Sequence, residues 1–195
     1  MNYLAHAYLS FGDGGILTGN LIADHVKGRL AMESYPTGIK EGIILHRKID
    51  GFCDAHPATA KAKLFFRADY GLYSGAVTDT LFDHYLANDV LIFPTERELE
   101  LFAQNTYRQL AVNEQYFPEP FKRYFPYMQQ HDWFSGYRKV KGMEKALNGL
   151  ARKAKFMAPP LKAFEVFLIH YFELNQCYEA LMTDVIKFVK FEWPV

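Results

Sequence analysis

Apolar positions recur every three or four residues along nearly the whole chain, and period-two runs of β-branched residues are missing. That spacing predicts an all-α protein. A first short helix is expected from Asn2 to Ser10, ended by the adjacent glycines of FGDGG. A second is expected from about Thr18 to Glu33. Pro36 near a helix start opens a third, from Gly38 to about Cys53. His56-Pro57 restarts the chain, Asp69-Tyr70-Gly71 turns it, and a helix from about Ser74 to Asn88 follows. Thr95 with Glu98 forms a capping-box pattern. Pro118, Pro120 and Pro126 predict short helices and turns. Pro159-Pro160 opens the longest predicted helix, whose stripe runs Leu161, Phe164, Leu168, Tyr171, Leu174, Tyr178, Leu181, Val185 and Phe188. It is expected to be the central packing helix of a single domain spanning 1–195.

Composition narrows the function. The chain has 195 residues, 50% of them hydrophobic, enough to bury a core and too many for general disorder. Lys plus Arg and Asp plus Glu are 22 each, so no basic surplus argues for nucleic acid as the main partner. Two cysteines, Cys53 and Cys177, support no disulfide framework and read as free thiols. No stretch approaches the 20 or so apolar residues of a membrane span, and the first residues lack a signal peptide's basic start. A cytoplasmic location is the expectation.

The neutral total is a cancellation. Phe121 to Lys162 holds ten Lys/Arg against Asp132 and Glu144, whereas five of seven histidines and seven of ten aspartates precede residue 85. Three clusters in that acidic part carry candidate chemistry. In GNLIADHVKG, Asn20, Asp24 and Lys27 share a helix face; they suit a metal and a phosphate oxygen, or simply a solvated face. In GIILHRKIDGFCDAHP, His46, Asp50 and Asp54 are spaced i, i+4, i+8, a donor set for a divalent ion. Arg47 and Lys48 beside them suit a phosphate. A helix ending at Gly51 would take Asp54 off that ridge. In VTDTLFDHYLA, Asp79 and Asp83 are i, i+4 and His84 adjoins Asp83, all among apolar residues where an unpaired acid is costly.

Three clusters of one chemical type within a short span favour a shared metal site over unrelated accidents. His6 reads as a ligand or as a core histidine. His25 reads as structural, His56 as a helix-start residue or outer ligand, and His131 and His170 have no assigned role. No nucleophile elbow, C-x-x-C or P-loop is present. The chemistry left is metal-activated water attacking a phosphoryl centre. The aromatic and basic stretch FKRYFPYMQQHDWFSGYRKVKGMEK suits single-stranded nucleic acid, a core with solvated lysines, or a docking face for an acidic protein.

The motifs MNYLAHAYLS, GNLIADHVKG, YPTGIKEGIILHRKIDGFCDAHP and DTLFDHYLA together resemble the acyl carrier protein phosphodiesterase (hydrolyase) family, strongly over the first 90 residues. The resemblance implies an all-α fold related to the His-Asp (HD) metal-dependent phosphohydrolases. It implies hydrolysis of the phosphodiester joining 4′-phosphopantetheine to a serine of holo acyl carrier protein, with Mn²⁺ or Mg²⁺. The family's recurring residues fall on His6, Asn20, Asp24, Lys27, His46, Arg47, Asp50, Asp54, Asp79, Asp83 and His84. On that basis Asp24, His46, Asp79, Asp83 and His84 are expected around the ion, with His6 and Asn20 as additional candidates. Arg47 and Lys27 are expected on the phosphate, and Asp50 or Asp54 as the residue that orients a ligand or activates water. Arg138, Lys139, Lys141 and Lys145 are expected to dock the acidic carrier protein. Two other readings stay open: a phosphohydrolase of another small phosphodiester or nucleotide, and a noncatalytic module binding an acidic protein.

Overall fold

Every regular element among the described residues is a helix. The computed structural model describes residues 1–154 and 156–193, so Lys155 of the basic stretch lies outside them. In chain order the α-helices are α1 (Tyr3–Tyr8), α2 (Gly14–Ile22), α3 (Arg29–Glu33), α4 (Thr37–Ala55), α5 (Pro57–Tyr70), α6 (Ser74–Asn88), α7 (Glu96–Val112), α8 (Glu119–Gln130), α9 (Trp133–Gly136), α10 (Val140–Lys153), α11 (Pro160–Ile169) and α12 (Tyr171–Glu192). Their buried apolar side chains form one continuous cluster. No helix is long and apolar enough to cross a membrane among the described residues.

Local signals set several boundaries. α6 has the expected ends, and Thr95 and Glu98 form the reciprocal capping box at α7. The His56 side chain accepts from the Ala58 N–H and caps α5, the helix-start role. Three expectations fail for identifiable reasons. The predicted second helix is interrupted: α2 starts early because the Asp13 side chain caps Ile16, then tightens at Ala23–His25, and Gly28 at φ 84° precedes α3. α8 runs 12 residues through Pro126, because Phe121, Phe125 and Met128 bury one face. The long C-terminal stripe breaks at His170 into α11 and α12. Leu161 and Leu168 of the predicted stripe are exposed, and Ala163 and Phe167 are buried instead. The 22-residue α12 remains the longest helix, packed on α4, α5 and α6.

The closest helix pair is α2 against α4. A Cβ on Gly19 would overlap the Ile39 carbonyl, and one on Gly42 would overlap the Ile16 carbonyl. Only residues without side chains let the two backbones meet so closely. This crossing sets Asn20 on α2 beside His46 on α4.

Candidate metal centre

The crossing fixes two imidazoles. His46 Nδ1 is 2.8 Å from the Asn20 backbone carbonyl. A carbonyl only accepts, so Nδ1 carries a proton, and in the neutral ring Nε2 presents its lone pair. His6, on α1, is held by the same residue. The Asn20 amide nitrogen donates to the His6 carbonyl at 2.9 Å and to Ser10 Oγ at 3.0 Å. Its Oδ1 is left to accept from His6 Nδ1 at 2.7 Å. The two rings stack with centroids 4.1 Å apart, and both Nε2 atoms face one carboxylate. Asp50 Oδ1 is 3.2 Å from His6 Nε2, and Asp50 Oδ2 is 3.0 Å from His46 Nε2.

Those contacts are close but poorly aligned. His6 Nε2, His46 Nε2 and Asp50 Oδ1 are all buried without a hydrogen-bond partner. One donor atom from each of these residues lies within 4.8 Å of the others. Buried polar atoms are costly without partners, and three such atoms converging on one place fit a cation. Two imidazole nitrogens and a carboxylate oxygen are ordinary ligands of a divalent transition ion. Asn20 then acts as the outer residue that fixes both ring tautomers.

Proton affinities follow the same geometry. Burial, and then the neighbouring His46, push His6 down to about 4. Burial also opposes a charge on His46, but the carboxylates of Asp24 and Asp50 outweigh it and raise the ring to about 9. Asp50 is held well below the usual carboxylate range: its burial acts the other way, and the two imidazoles overcome it. Asp24 borders the trio from the solvent side, 3.3 Å from His46 Nε2 with 67% of its side chain exposed. Its carboxyl is lowered, chiefly by His46.

The remaining candidates divide. Asp79 Oδ1 lies 3.3 Å from the Met1 nitrogen, which lies 3.5 Å from Asp50 Oδ1, so Asp79 reaches the trio at one remove. Asp83 and His84, expected at the ion, are committed elsewhere. Asp83 is fully buried and accepts from the Leu4 and Ala5 N–H groups at 2.9 and 3.1 Å. It thereby satisfies the first turn of α1, which Asn2 leaves without a side-chain cap. His84 Nδ1 donates to the Tyr137 carbonyl, and its Nε2 accepts from the Tyr171 hydroxyl. Asp54 is on the outer face of α4, paired with Lys63 at 2.7 Å. The helix runs through Gly51 to Ala55, so the roughly 80° of rotation that eight residues accumulate beyond two turns, not an early end, takes Asp54 off the site. Asn20 orients rings instead of offering an oxygen to an ion.

Arg47 points out of α4 and donates to the Val26 carbonyl at 3.0 Å, tying down the segment that carries Asp24. Lys27 is exposed. His25 is within 2.7 Å of the Tyr124 hydroxyl, away from the trio. Sequence reasoning did not single out Ser10, although it stands four residues after His6, nor Lys153, which lies over the Tyr124 ring at 4.6 Å. In the basic stretch, Phe121, Phe125, Phe134 and Tyr137 are buried, so those rings serve the core. Lys141 and Lys145 are exposed, Lys139 is 3.6 Å from Glu96, and Arg138 is only partly exposed.

Similarity to known proteins covers this whole region. A protein of Enterobacter sp. (strain 638) is 31% identical over 153 residues, 78% of this chain and 79% of that protein. One of Salmonella paratyphi A (strain ATCC 9150 / SARB42) is 30% identical over 181 residues, 93% and 90% of the two chains. One of Yersinia pestis is 30% identical over 187 residues, 96% of each. All three are named acyl carrier protein phosphodiesterase. No solved structure matches. The family described as acyl carrier protein phosphodiesterase matches residues 1–185, which include every residue of the His6–His46–Asp50 trio, and the chain belongs to that family.

Proposed function

We propose that this chain hydrolyses the phosphodiester between 4′-phosphopantetheine and a serine of holo acyl carrier protein, using a divalent ion held by His6, His46 and Asp50. The observation that carries the reading is the convergence of three buried, unpartnered donor atoms. The donor set favours Mn²⁺ over Mg²⁺, since two of the three atoms are imidazole nitrogens. When bound, the ion would polarise a phosphoryl oxygen and make water a nucleophile near neutral pH.

The chain's own residues divide the remaining work. Asn20 holds both rings with Nε2 toward the ion. Asp24 closes the solvent side as an ionised acceptor for a water proton. Arg47 positions the Val26 segment, and Lys27 offers a positive charge to a phosphate oxygen. The phosphorus–serine oxygen bond breaks, water oxygen joins phosphorus, and serine oxygen takes a proton. The products are apo carrier protein and 4′-phosphopantetheine. Lys141 and Lys145, with Lys139 and Arg138 beside them, would steer an acidic carrier protein.

The test is incubation of chelator-stripped protein with holo acyl carrier protein, with and without added Mn²⁺, followed by mass spectrometry. The expected result is Mn²⁺-dependent loss of the phosphopantetheine mass. An unchanged carrier-protein mass with folded, Mn²⁺-loaded protein overturns the reading.

A further inference from the structure

A cavity of about 770 Å³ opens beside the metal centre, between α10, α9 and the start of α1. That volume is in the range of about 300–1,000 Å³ that holds small organic ligands. Asn2, Tyr3 and Thr80 line the cavity, and their chain neighbours lead to the candidate centre: the Met1 nitrogen is 3.5 Å from Asp50 Oδ1, and Asp79 pairs with that nitrogen at 3.3 Å. The Tyr3 hydroxyl is 2.6 Å from that of Tyr124, and Lys153 lies over both rings.

The lining is chemically divided. Trp133, Tyr137, Ala146 and Leu150 present carbon, and Lys139, Lys141, Lys145, Arg152 and Lys153 present positive charge. Gly149 contributes no side chain, and a Cβ placed there would meet nothing within 4 Å. The floor of the cavity at α10 is therefore open space, not the close packing seen at Gly19 and Gly42.

We propose that this cavity receives the pantetheine arm of the carrier-protein substrate, laying it along Tyr137 and the α10 floor while the phosphodiester reaches His6, His46 and Asp50. The proposal rests on the hydrolase reading above. The arm suits the space: a dimethyl-bearing carbon, two amides and a short thiol chain need a mostly apolar trough. The amides find polar partners in Asn2 and Asn148, which also line the cavity. The positive charges suit the acidic protein from which the arm projects, which gives the arm a fixed direction of entry.

The experiment fills the cavity. Gly149→Phe adds a ring to the open floor and replaces a helix-interior glycine with a better helix former. Pantetheine, without phosphate, is titrated by calorimetry into metal-stripped wild type and variant, so the measurement is independent of hydrolysis. Binding by wild type and a loss of at least about tenfold in Gly149→Phe is expected, with Gly149→Ala close to wild type. On holo acyl carrier protein the variant should raise KM by a similar factor. It should leave the Mn²⁺-dependent rate on bis(p-nitrophenyl) phosphate, which has no arm, within about twofold. Ala146→Phe serves if circular dichroism shows Gly149→Phe unfolded. No pantetheine binding by wild type, or equal binding by a folded cavity-filled variant, overturns the proposal. Absence of Mn²⁺-dependent hydrolysis of either substrate, with pantetheine binding intact, would instead strike the hydrolase reading alone.

Discussion

Two acid–histidine sets that look alike in the sequence have opposite chemistry. On α6, Asp83 and His84 spend every strong hydrogen-bonding atom on the protein: two backbone N–H groups, a carbonyl and a tyrosine hydroxyl. At the α2–α4 crossing, His6, His46 and Asp50 use one side of each ring on Asn20 and leave Nε2 and Oδ1 without aligned partners. Residue type alone would make the two sets equal candidates. What separates them is where the lone pairs go. A satisfied histidine is a structural strut, and an unsatisfied one beside a carboxylate is a ligand in waiting.

The comparison breaks or holds on substitutions. The largest effect is expected from His46→Ala, which should cut Mn²⁺ affinity and Mn²⁺-dependent turnover by at least about a hundredfold, since even outer-residue changes cost about 10–100-fold. His84→Gln should leave both within a few-fold. Equal losses in the two variants, measured by chelator competition and carrier-protein hydrolysis, would erase the distinction. Next, Asn20→Ala should lower Mn²⁺ affinity by roughly 10-fold, because His6 loses the Oδ1 that fixes its tautomer while His46 keeps the backbone carbonyl of residue 20. Unchanged affinity would show that the His6 ring orients itself.

Asp83→Ala sharpens the other side. It strands the Leu4 and Ala5 N–H groups in a buried place, at a cost of about 1–3 kcal/mol each. Thermal unfolding should show a loss of about 2–6 kcal/mol, with the Mn²⁺ stoichiometry of the folded protein retained. A variant of wild-type stability would deny the capping role.

A smaller effect concerns pH. In metal-free protein the His46 ring is raised to about 9, so its contribution to stability is present below its ordinary value near 6.5 and fades as pH rises to 9. Saturating Mn²⁺ selects the neutral ring and should remove that decline, which melting curves between pH 6.5 and 9 would show. Parallel curves with and without the ion would mean His46 is no ligand. The smallest effect is expected far from both sets. Charge reversal at Lys139, Lys141 and Lys145 should raise KM for carrier protein several-fold at low salt and little at high salt. A salt-independent KM would remove these lysines from docking.

Much of this was legible in the sequence. The 3.6-residue period gives helices, His56-Pro57 and Thr95-Glu98 give starts, and i, i+4 spacing puts His46 and Asp50 on one ridge. The misreadings have physical causes. The VTDTLFDHYLA motif looks metal-like because polar groups sit among apolar ones, yet its buried acid answers the bare first turn of α1, a demand visible only after α1 and α6 pack. The break at His170 is likewise invisible in a stripe that continues on both sides.

The sequence by itself determined an all-helical chain, a division of charge, and a supply of histidines and carboxylates in its first half. Tertiary structure decided which of them meet. Periodicity constrains neighbours on one helix, whereas His6, Asn20 and His46 come from three, brought together by a crossing that Gly19 and Gly42 keep free of side chains. Whether a donor atom is spent or spare depends on groups 14, 26 or 79 residues away, and no local pattern encodes that.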